Sequence, residues 1–252
     1  MGFSLTAFDL VTMLQCGLEL RQQTRGAASM EEAAQSIVRY FHDACRDPVT
    51  GRRECALVRF YKTHPYSGLE PELQAFAREL LGGPPAREDM QCLVLMASAG
   101  DEPAWNDRRA SRGHQAVPLP SARIVEQAPM ISQLIHDLGL DVDAVVTPRP
   151  ELIRGLDGRT CNVFYVPEAV ESPYIPAQEG FVRRYGIRSV VGCGGILLTG
   201  ELFSLILFAR VPIPHASADR FRNIALDLKL AIAPLEEVFA TAPPAGAGPI
   251  PA

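Results

Sequence analysis

The sequence predicts one α+β unit in which helices flank a set of strands, and three observations lead to this fold class. Apolar residues recur every three or four positions near both ends of the chain, as they do on amphipathic helices. Between those ends the period changes to two in several short segments, which indicates strands. Two long apolar runs, 187–198 and 202–211, are joined by Thr199 and Gly200, which is the strongest hairpin signal in the chain.

The composition is that of a globular protein with enough apolar residues for a filled core. Hydrophobic residues make up 47% and charged residues 21% of the 252 positions. The formal net charge of -5 argues against a nucleic-acid binder that relies on phosphate neutralisation. No basic N-terminal region precedes an apolar run, and no apolar run is long enough to cross a bilayer. We therefore expect a cytoplasmic protein that binds neither nucleic acid nor membrane.

Two helices are expected to open the chain. The first, over 5–25, carries one apolar stripe made of Leu5, Phe8, Val11, Leu14 and Leu18. The second begins at a capping box, in which the Ser29 hydroxyl accepts from the Glu32 amide while the Glu32 carboxylate reaches back.

Strands and an irregular insert follow. Period-two patterns predict strands at 55–61 and 92–97, with a helix between them that ends before Gly82. Residues 100–159 form a long proline-broken insert, which we interpret as a loop up to Pro120 and short helices after it. The segment 142–146 fits either a helix or a strand.

The C-terminal part completes the pattern. A third strand is expected at 160–166 and a short helix at 177–185, before the hairpin. Ser217 can cap the final helix, which Pro234 bends or ends. The last dozen residues, 241–252, are rich in Pro, Ala and Gly and have little to bury, so we expect a disordered tail.

The cysteines do not form a metal or disulfide pattern. Their spacings are wide and contain no C-x-x-C pair, which is typical of buried thiols in a reducing compartment. The six are Cys16, Cys45, Cys55, Cys92, Cys161 and Cys193.

The order of elements, and most specifically the segment 185–210 (YGIRSVVGCGGILLTGELFSLILFAR), resembles a GAF domain of the bacterial sensory type. The resemblance implies an antiparallel sheet of about five to six strands flanked by helices. The N- and C-terminal helices would pack on one face and the insert on the other. It divides the chain into an N-terminal helix at 1–28, a GAF-like sensory domain at 29–240 with its insert at about 100–159, and the tail.

The resemblance also implies a function. A GAF-like module in bacterial signal transduction would hold a small molecule between the sheet and the insert. It would pass the signal through its terminal helices, form a homodimer through them, and act on a kinase or phosphatase in trans. Three alternatives stay open: a ligand-free protein-interaction or dimerisation module, a thiol-based reductase of free methionine sulfoxide, and a haem gas sensor.

The best polar cluster for a ligand lies in the insert. Guanidinium groups suit carboxylate or phosphate, and an indole can stack on a flat ring, so an anionic or nucleotide-like ligand is predicted. A solvated basic loop neutralised by nearby acids is the alternative. The candidate residues are Trp105, Arg109, Arg112 and His114.

Further candidates lie on the predicted strands. Arg188, Gly192 and Gly194 share one face of an extended strand, where missing side chains either form a pocket floor or allow close packing. The glycines do not match a dinucleotide-binding or phosphate-loop motif. Tyr165 on the third strand is also a candidate for ligand binding.

Catalytic and metal signals are weak. The sequence has no G-x-S-x-G, no H-E-x-x-H and no paired acidic motif in a plausible setting, so we expect a protein that is not an enzyme. His64, at the end of a strand, could ligate haem iron, with Tyr66 and Met96 lining the pocket, but no metal-ligand spacing supports this. A histidine in a turn before Pro65 is the alternative, and the cofactor is unknown.

Overall fold

The structure is a computed structural model, and it describes residues 2–83, 86–111, 113–148 and 161–240. The strands are β1 (Cys55–Pro65), β2 (Gln91–Gly100), β3 (Ala116–Leu119), β4 (Cys161–Val166), β5 (Ser189–Ile196) and β6 (Leu202–Ala209). The helices are α1 (Leu10–Gln23), α2 (Met30–Ala44), α3 (Pro71–Leu81), α4 (Ala122–Val125), α5 (Pro129–Asp137), α6 (Val142–Val146), α7 (His215–Asp219) and α8 (Phe221–Ile232). The predicted tail at 241–252 lies outside the described residues.

All six strands form one sheet in the order β3–β2–β1–β6–β5–β4. Every neighbouring pair is antiparallel, so the expected antiparallel sheet of five to six strands is confirmed. The predicted hairpin is β5–β6, with Val191 opposite Leu207. Gly200 in its turn has a φ of 101°, a conformation that glycine adopts without strain.

The two faces of the sheet are covered by different parts of the chain. On the face that we call the helix side, α2 packs on β1 and β2, and α8 packs on β4 and β5. On the opposite face, the insert side, α5 and α6 bury Leu134, Ile135 and Val145 in one core cluster with Leu93 and Leu202. The terminal helices and the insert therefore lie on opposite faces, as the resemblance implied.

The single helical stripe predicted for 5–25 is wrong, because Leu5 and Phe8 precede the helix and are buried in the core, while its other members face outward. A 3₁₀ turn at Leu5–Ala7 comes first, and α1 then begins after Asp9, whose side chain accepts from the Thr12 amide. The residues of α1 that are buried are Met13, Cys16, Gly17 and Leu20, whereas Val11, Leu14 and Leu18 are about 60% exposed. The reason is tertiary: α1 packs against α8 and α2, which cover a face of α1 that includes Gly17.

The insert contains a strand where the sequence predicts a loop. Strand β3 has four residues, contains Pro118, and pairs with β2 at the edge of the sheet. A proline is tolerated at such an edge, but so short a segment gives no periodic signal. The ambiguous segment is helix α6, because the Asp141 side chain accepts from the Asp143 amide and caps it.

Candidate functional site

A group of polar side chains lies at the centre of the insert side. Ser98 faces the insert because its neighbours on β2, Ala97 and Ala99, both pack in the helix-side core. The same alternation places Arg59 and Tyr61 of β1 and Ser204 of β6 on this side. We call these four residues (Arg59, Tyr61, Ser98 and Ser204) the polar patch.

Strand register brings the members of the polar patch together. Arg59 is opposite Ser98 on β2, and Tyr61 is opposite Ser204 on β6. The Arg59 Nη1 donates to the Tyr61 hydroxyl at 3.2 Å. The patch therefore crosses three adjacent strands and is bordered by Gly194, which is opposite Ser204 on β5.

Three atoms of the polar patch have no hydrogen-bond partner among the described residues. They are the Arg59 Nε, the Ser98 Oγ and the Ser204 Oγ, all of them buried. A buried hydroxyl left without a partner costs roughly 1–3 kcal/mol, and most buried polar groups in folded proteins have one. These atoms make the polar patch a candidate binding surface.

The two strand glycines allow neighbouring chain to come close. A Cβ on Gly194 would overlap the backbone carbonyl oxygen of Phe203, and a Cβ on Gly192 would lie 3.3 Å from the Phe164 ring. Of the two roles considered for these glycines, the contacts correspond to close packing, because the space beside each backbone is already filled.

Aromatic residues form one border of the polar patch. Trp105 packs on Gly100 at the end of β2, and its ring centroid lies 4.6 Å from that of Tyr185. Phe181 lies between this pair and Phe208 of β6. Its ring centroid is 5.8 Å from that of Trp105 and 5.0 Å from that of Phe208. Trp105 is thus on the insert side and is half-buried.

The opposite border of the polar patch is closed by apolar side chains. Between the sheet and helices α5 and α6, the side chains leave no room for a water molecule. The space that a small molecule between the sheet and the insert would need is therefore absent from this end of the insert side. The lining residues are Thr63, Leu93, Leu119, Ile131, Leu134, Ile135, Val145 and Leu202.

Arg108 and Arg109 of the insert loop turn away from the polar patch. Arg108 is 4% exposed and donates to both carboxylate oxygens of Glu31, at 2.6 and 2.9 Å, and to Glu70 at 2.7 Å. Arg109 also contacts Glu31, at 3.2 Å, and Glu70, at 3.6 Å. The acidic partners are Glu31 of α2 and Glu70, the residue before α3. The sequence analysis predicts neither of these ion pairs.

The C-terminal strap, residues 233–240, packs on this ion-pair network. The Met30 and Glu31 amides donate to the carbonyls of Glu237 and Val238, at 2.8 and 3.0 Å, and the Ala240 amide donates to Glu31. The Arg108 guanidinium lies 5.4 Å above the ring of Phe239. Burial opposes ionisation of Glu31, but the bonds from Arg108 and Ala240 outweigh it and lower the pKa of this carboxyl.

The remaining predicted ligand residues do not come together. His114 has a φ of 66° and lies near Arg59 of the polar patch, and partial burial of its ring together with the Arg59 charge lowers the pKa of His114. Arg188 is exposed at the start of β5, on the insert side. Tyr165 lies on the helix side, where its hydroxyl donates to the Ile213 carbonyl and its ring contacts His215. Arg112 lies outside the described residues. Of the eight predicted residues, Trp105, His114, Gly192 and Gly194 are the ones that lie near the polar patch or on the strand beside it.

His64 lies on the side of the sheet opposite the insert. Its ring is 5.6 Å from Phe239, and the Lys62 Nζ is 3.4 Å from its Nδ1. Burial, with the nearby Lys62 charge, lowers the pKa of His64 to about 4. Within the described ranges no group of three His, Cys, Asp or Glu side chains is arranged to hold a metal ion.

The thiols are in surroundings that disfavour the thiolate. Five cysteines are buried and Cys161 is half-buried, and none of the six forms a disulfide. Burial raises the pKa of Cys16 and of Cys92 to about 12, and it raises the pKa of Cys193 as well. These positions give the thiol-reductase alternative no support.

The polar patch was missed at the level of sequence, although a signal was present. Arg59 interrupts the apolar run CALVRFY, and Ser98 and Ser204 each interrupt an apolar strand in the same way. A charged residue in a strand with apolar residues on both sides has to face something polar, and that rule would have found Arg59.

In the described part of the chain, no helix is long and apolar enough to span a membrane.

No family model matches the chain, and no curated protein matches its sequence. Solved structures similar to it include the phycoerythrobilin-bound GAF domain of a cyanobacterial phytochrome, at 12% identity and a TM-score of 0.42, covering 88% of this chain and 94% of that one. The photosensory core module of a Stigmatella aurantiaca phytochrome is similar at 14% identity and a TM-score of 0.38, covering 90% of this chain and 37% of that one.

A mutant of the chromophore-binding domain of the Stigmatella aurantiaca bacteriophytochrome is similar at 10% identity and a TM-score of 0.35, covering 89% and 59% of the two chains. This chain therefore spans less than two thirds of both Stigmatella structures. Its own six-stranded antiparallel sheet, with terminal helices on one face and the insert on the other, has the arrangement that the resemblance to a GAF domain implies.

Proposed function

We propose that this chain is a small-molecule-binding sensory module whose ligand lies on the polar patch, between the sheet and the insert. The observation that carries the proposal is the set of buried, unpartnered polar atoms on Arg59, Ser98 and Ser204. A fold that needed only a filled core would gain stability from apolar residues at these positions. Polar side chains kept there without partners are explained by a ligand that supplies them.

The insert loop offers a route from the ligand to the terminal helices. Trp105 borders the polar patch, and three residues later Arg108 is bound to Glu31 at the start of α2. Glu31 in turn holds the C-terminal strap that follows α8. A ligand that moves Trp105 would therefore strain the contact that joins α2 to the strap, and signalling follows if the two arrangements bind the ligand with different affinity.

The terminal helices are proposed to form a homodimer. Their outer surface carries large apolar side chains that are about half exposed or more, and α1 and α8 pack side by side where Gly17 meets Asp227. Burying such a surface against a second copy would be favourable. The side chains are Leu10, Val11, Leu14, Leu18, Leu226 and Leu230.

The setting of the module follows from the GAF resemblance alone. We propose that it works in the bacterial cytoplasm, has no catalytic activity of its own, and regulates a kinase or phosphatase in trans. Haem is not part of the proposal, because His64 lies on the opposite side of the sheet from the insert.

A ligand-free dimerisation module is the second candidate, and a specific observation favours it. The space beneath α5 and α6 is closed, while the outer surface of α1 and α8 is apolar. Such a protein would act through its helices alone, and its polar patch would be filled by water.

Native mass spectrometry of the full chain purified from cells separates the two candidates. We expect a bound small molecule that is released on denaturation, with the complex at the mass of a dimer. The emission of Trp105, the sole tryptophan, should change when the molecule is added back to stripped protein. A bare dimer that shows no change in emission with any member of a metabolite panel would leave the dimerisation module as the function.

A further inference from the structure

We infer that Arg59 is the residue that anchors the ligand, and that the ligand carries a carboxylate or phosphate group held by Arg59 together with the hydroxyls of Ser98 and Ser204. The inference rests on the proposed function and names the chemical class of the molecule and the atoms that hold it. Arg59 thus takes the place of the loop arginines, which the sequence analysis predicted as the anion site.

Arg59 is set apart from the exposed Arg188 by its burial and from the other arginines near the insert side by the lack of an acidic partner among the described residues. Arg108 and Arg109 are neutralised by Glu31 and Glu70, and Arg210 binds Asp101 at 2.5 Å. Arg59 has no carboxylate within 4.0 Å among the residues that the structure describes, and it is half-buried in the middle of β1. A guanidinium removed in part from water and left without a counter-charge attracts an anion.

The orientation of the guanidinium favours a forked anion. Nη1 is used by the Tyr61 hydroxyl, and Nε has no partner within the described ranges. The free Nε lies on the edge that it shares with Nη2, and this edge presents two parallel N–H groups that match two oxygens of a carboxylate or a phosphate. Tyr61 thus uses one edge of the guanidinium and leaves the buried Nε donor of the other edge without a partner in the described part of the chain.

The two serines lie on the strands to either side of β1, on the same face of the sheet as Arg59. Ser98 is opposite Arg59 on β2, and Ser204 is opposite Tyr61 on β6. Both hydroxyls are fully buried without a partner and can donate to an anion. Since α5 and α6 close one border of the polar patch, the rest of the ligand would extend toward Trp105 and Tyr185, whose rings suit an apolar or planar body.

The experiment uses the full chain and titrates sodium phosphate or sodium acetate against sodium chloride at constant ionic strength. Trp105 emission and the thermal unfolding midpoint are measured for the wild type, Arg59→Met, Arg59→Lys and the double variant Ser98→Ala/Ser204→Ala. Arg188→Met is the matched control, because Arg188 is an exposed arginine on the same side of the sheet. Comparing the phosphate and acetate titrations identifies which oxyanion the site prefers.

We expect one or both oxyanions to raise the midpoint of the wild type and of Arg188→Met in a saturable way. Arg59→Met should lose the response, Arg59→Lys should keep part of it because lysine retains the charge without the fork, and the serine variant should need a several-fold higher concentration. In chloride alone, Arg59→Met should unfold at or above the wild-type temperature, because an uncompensated charge has been removed. A merely structural arginine would instead lower that midpoint.

The molecule bound in cells provides the deciding comparison. Its mass should be present in wild type and Arg188→Met, absent in Arg59→Met, and its formula should contain an acidic group. A bound molecule retained by Arg59→Met, or one without an acidic group, overturns this inference while leaving the sensory module intact. A wild type that binds nothing overturns the proposed function itself, so the two failures are distinct. If Arg59→Met does not fold, Arg59→Lys and the serine variant decide by the same comparison.

Discussion

Arg108 and Glu31 form a buried bidentate ion pair, with Nε 2.6 Å from Oε1 and Nη2 2.9 Å from Oε2, between the insert loop and the first turn of α2. They are 77 residues apart in the chain. Glu70 accepts from Arg108 and the Ala240 amide donates to Glu31, so that the insert, two helices and the C-terminal strap meet at one ion pair.

Removing Arg108 should destabilise the protein strongly. Arg108→Met leaves the buried Glu31 with the half-exposed Arg109 as its remaining counter-charge, and we expect the free energy of unfolding to fall by about 3 kcal/mol, the lower end for a broken buried pair. Urea denaturation followed by circular dichroism measures it. Arg87→Met is the matched control, because Arg87 makes a comparable two-bond contact with Asp89 at an exposed site, and its midpoint should stay unchanged. Equal effects of the two substitutions would contradict the importance of the buried pair.

Alanine substitutions at glycines should give a graded series of losses. Gly194→Ala places a methyl group on the Phe203 carbonyl oxygen, where only movement of the backbone can relieve the overlap, so we expect a loss of about 3 kcal/mol or more. Gly192→Ala should cost less because the Phe164 ring can shift. Gly180→Ala meets nothing within 4 Å and serves as the control. Thermal denaturation ranks the three, and any other order would argue against close packing at β5.

Charges placed on the outer surface of α1 should dissociate the proposed homodimer. Leu14 and Leu18 are 58% and 63% exposed, so Leu14→Glu/Leu18→Glu leaves the core of the protomer intact while placing like charges in the interface. Light scattering after size exclusion should give the dimer mass for the wild type and the monomer mass for this variant. Leu80→Glu on α3, at 53% exposure, should remain dimeric. A double variant that is still a dimer would place the interface elsewhere.

His64 should make the protein less stable in acid. Its pKa is lowered to about 4 by burial and by the Lys62 charge, whereas an unfolded histidine titrates near 6.5. Between these two values the unfolded chain binds more protons, so the free energy of unfolding falls as the pH falls, by about 3 kcal/mol from this residue between pH 7 and pH 4.

The test of His64 is the pH dependence of urea unfolding. His64→Gln should flatten the dependence over pH 4 to 6.5, although not abolish it, because burial and the charge of Arg53 also lower the pKa of His42. His136→Gln, at an exposed position on α5, is the control and should retain the wild-type slope. An unchanged slope in His64→Gln would show that the ring is protonated equally in both states.

The sequence alone predicted the elements with a strong local signal. The capping box at α2 is present, with the Glu32 amide 3.2 Å from the Ser29 hydroxyl, although the Glu32 carboxylate reaches the Ala28 amide. The β5–β6 hairpin is also present, because two long apolar runs around a tight turn have few other ways to bury themselves. Such features depend on residues that are near in sequence, and a single sequence contains that information.

Tertiary structure decided what contacts what. The side chains of Val11, Leu14 and Leu18 on α1 face outward because α8 and α2 cover the other face of that helix. The acidic partners of Arg108 come from segments 77 and 38 residues away in the chain. The polar patch arises only when β2, β1 and β6 are placed in register, which sets Arg59 beside Ser98 and Tyr61 beside Ser204. Periodicity within a strand specifies which side chains share a face. The partner strand and its register depend on contacts between residues far apart in the chain. These contacts decide which polar groups find a hydrogen-bond partner in the protein and which are left for a ligand.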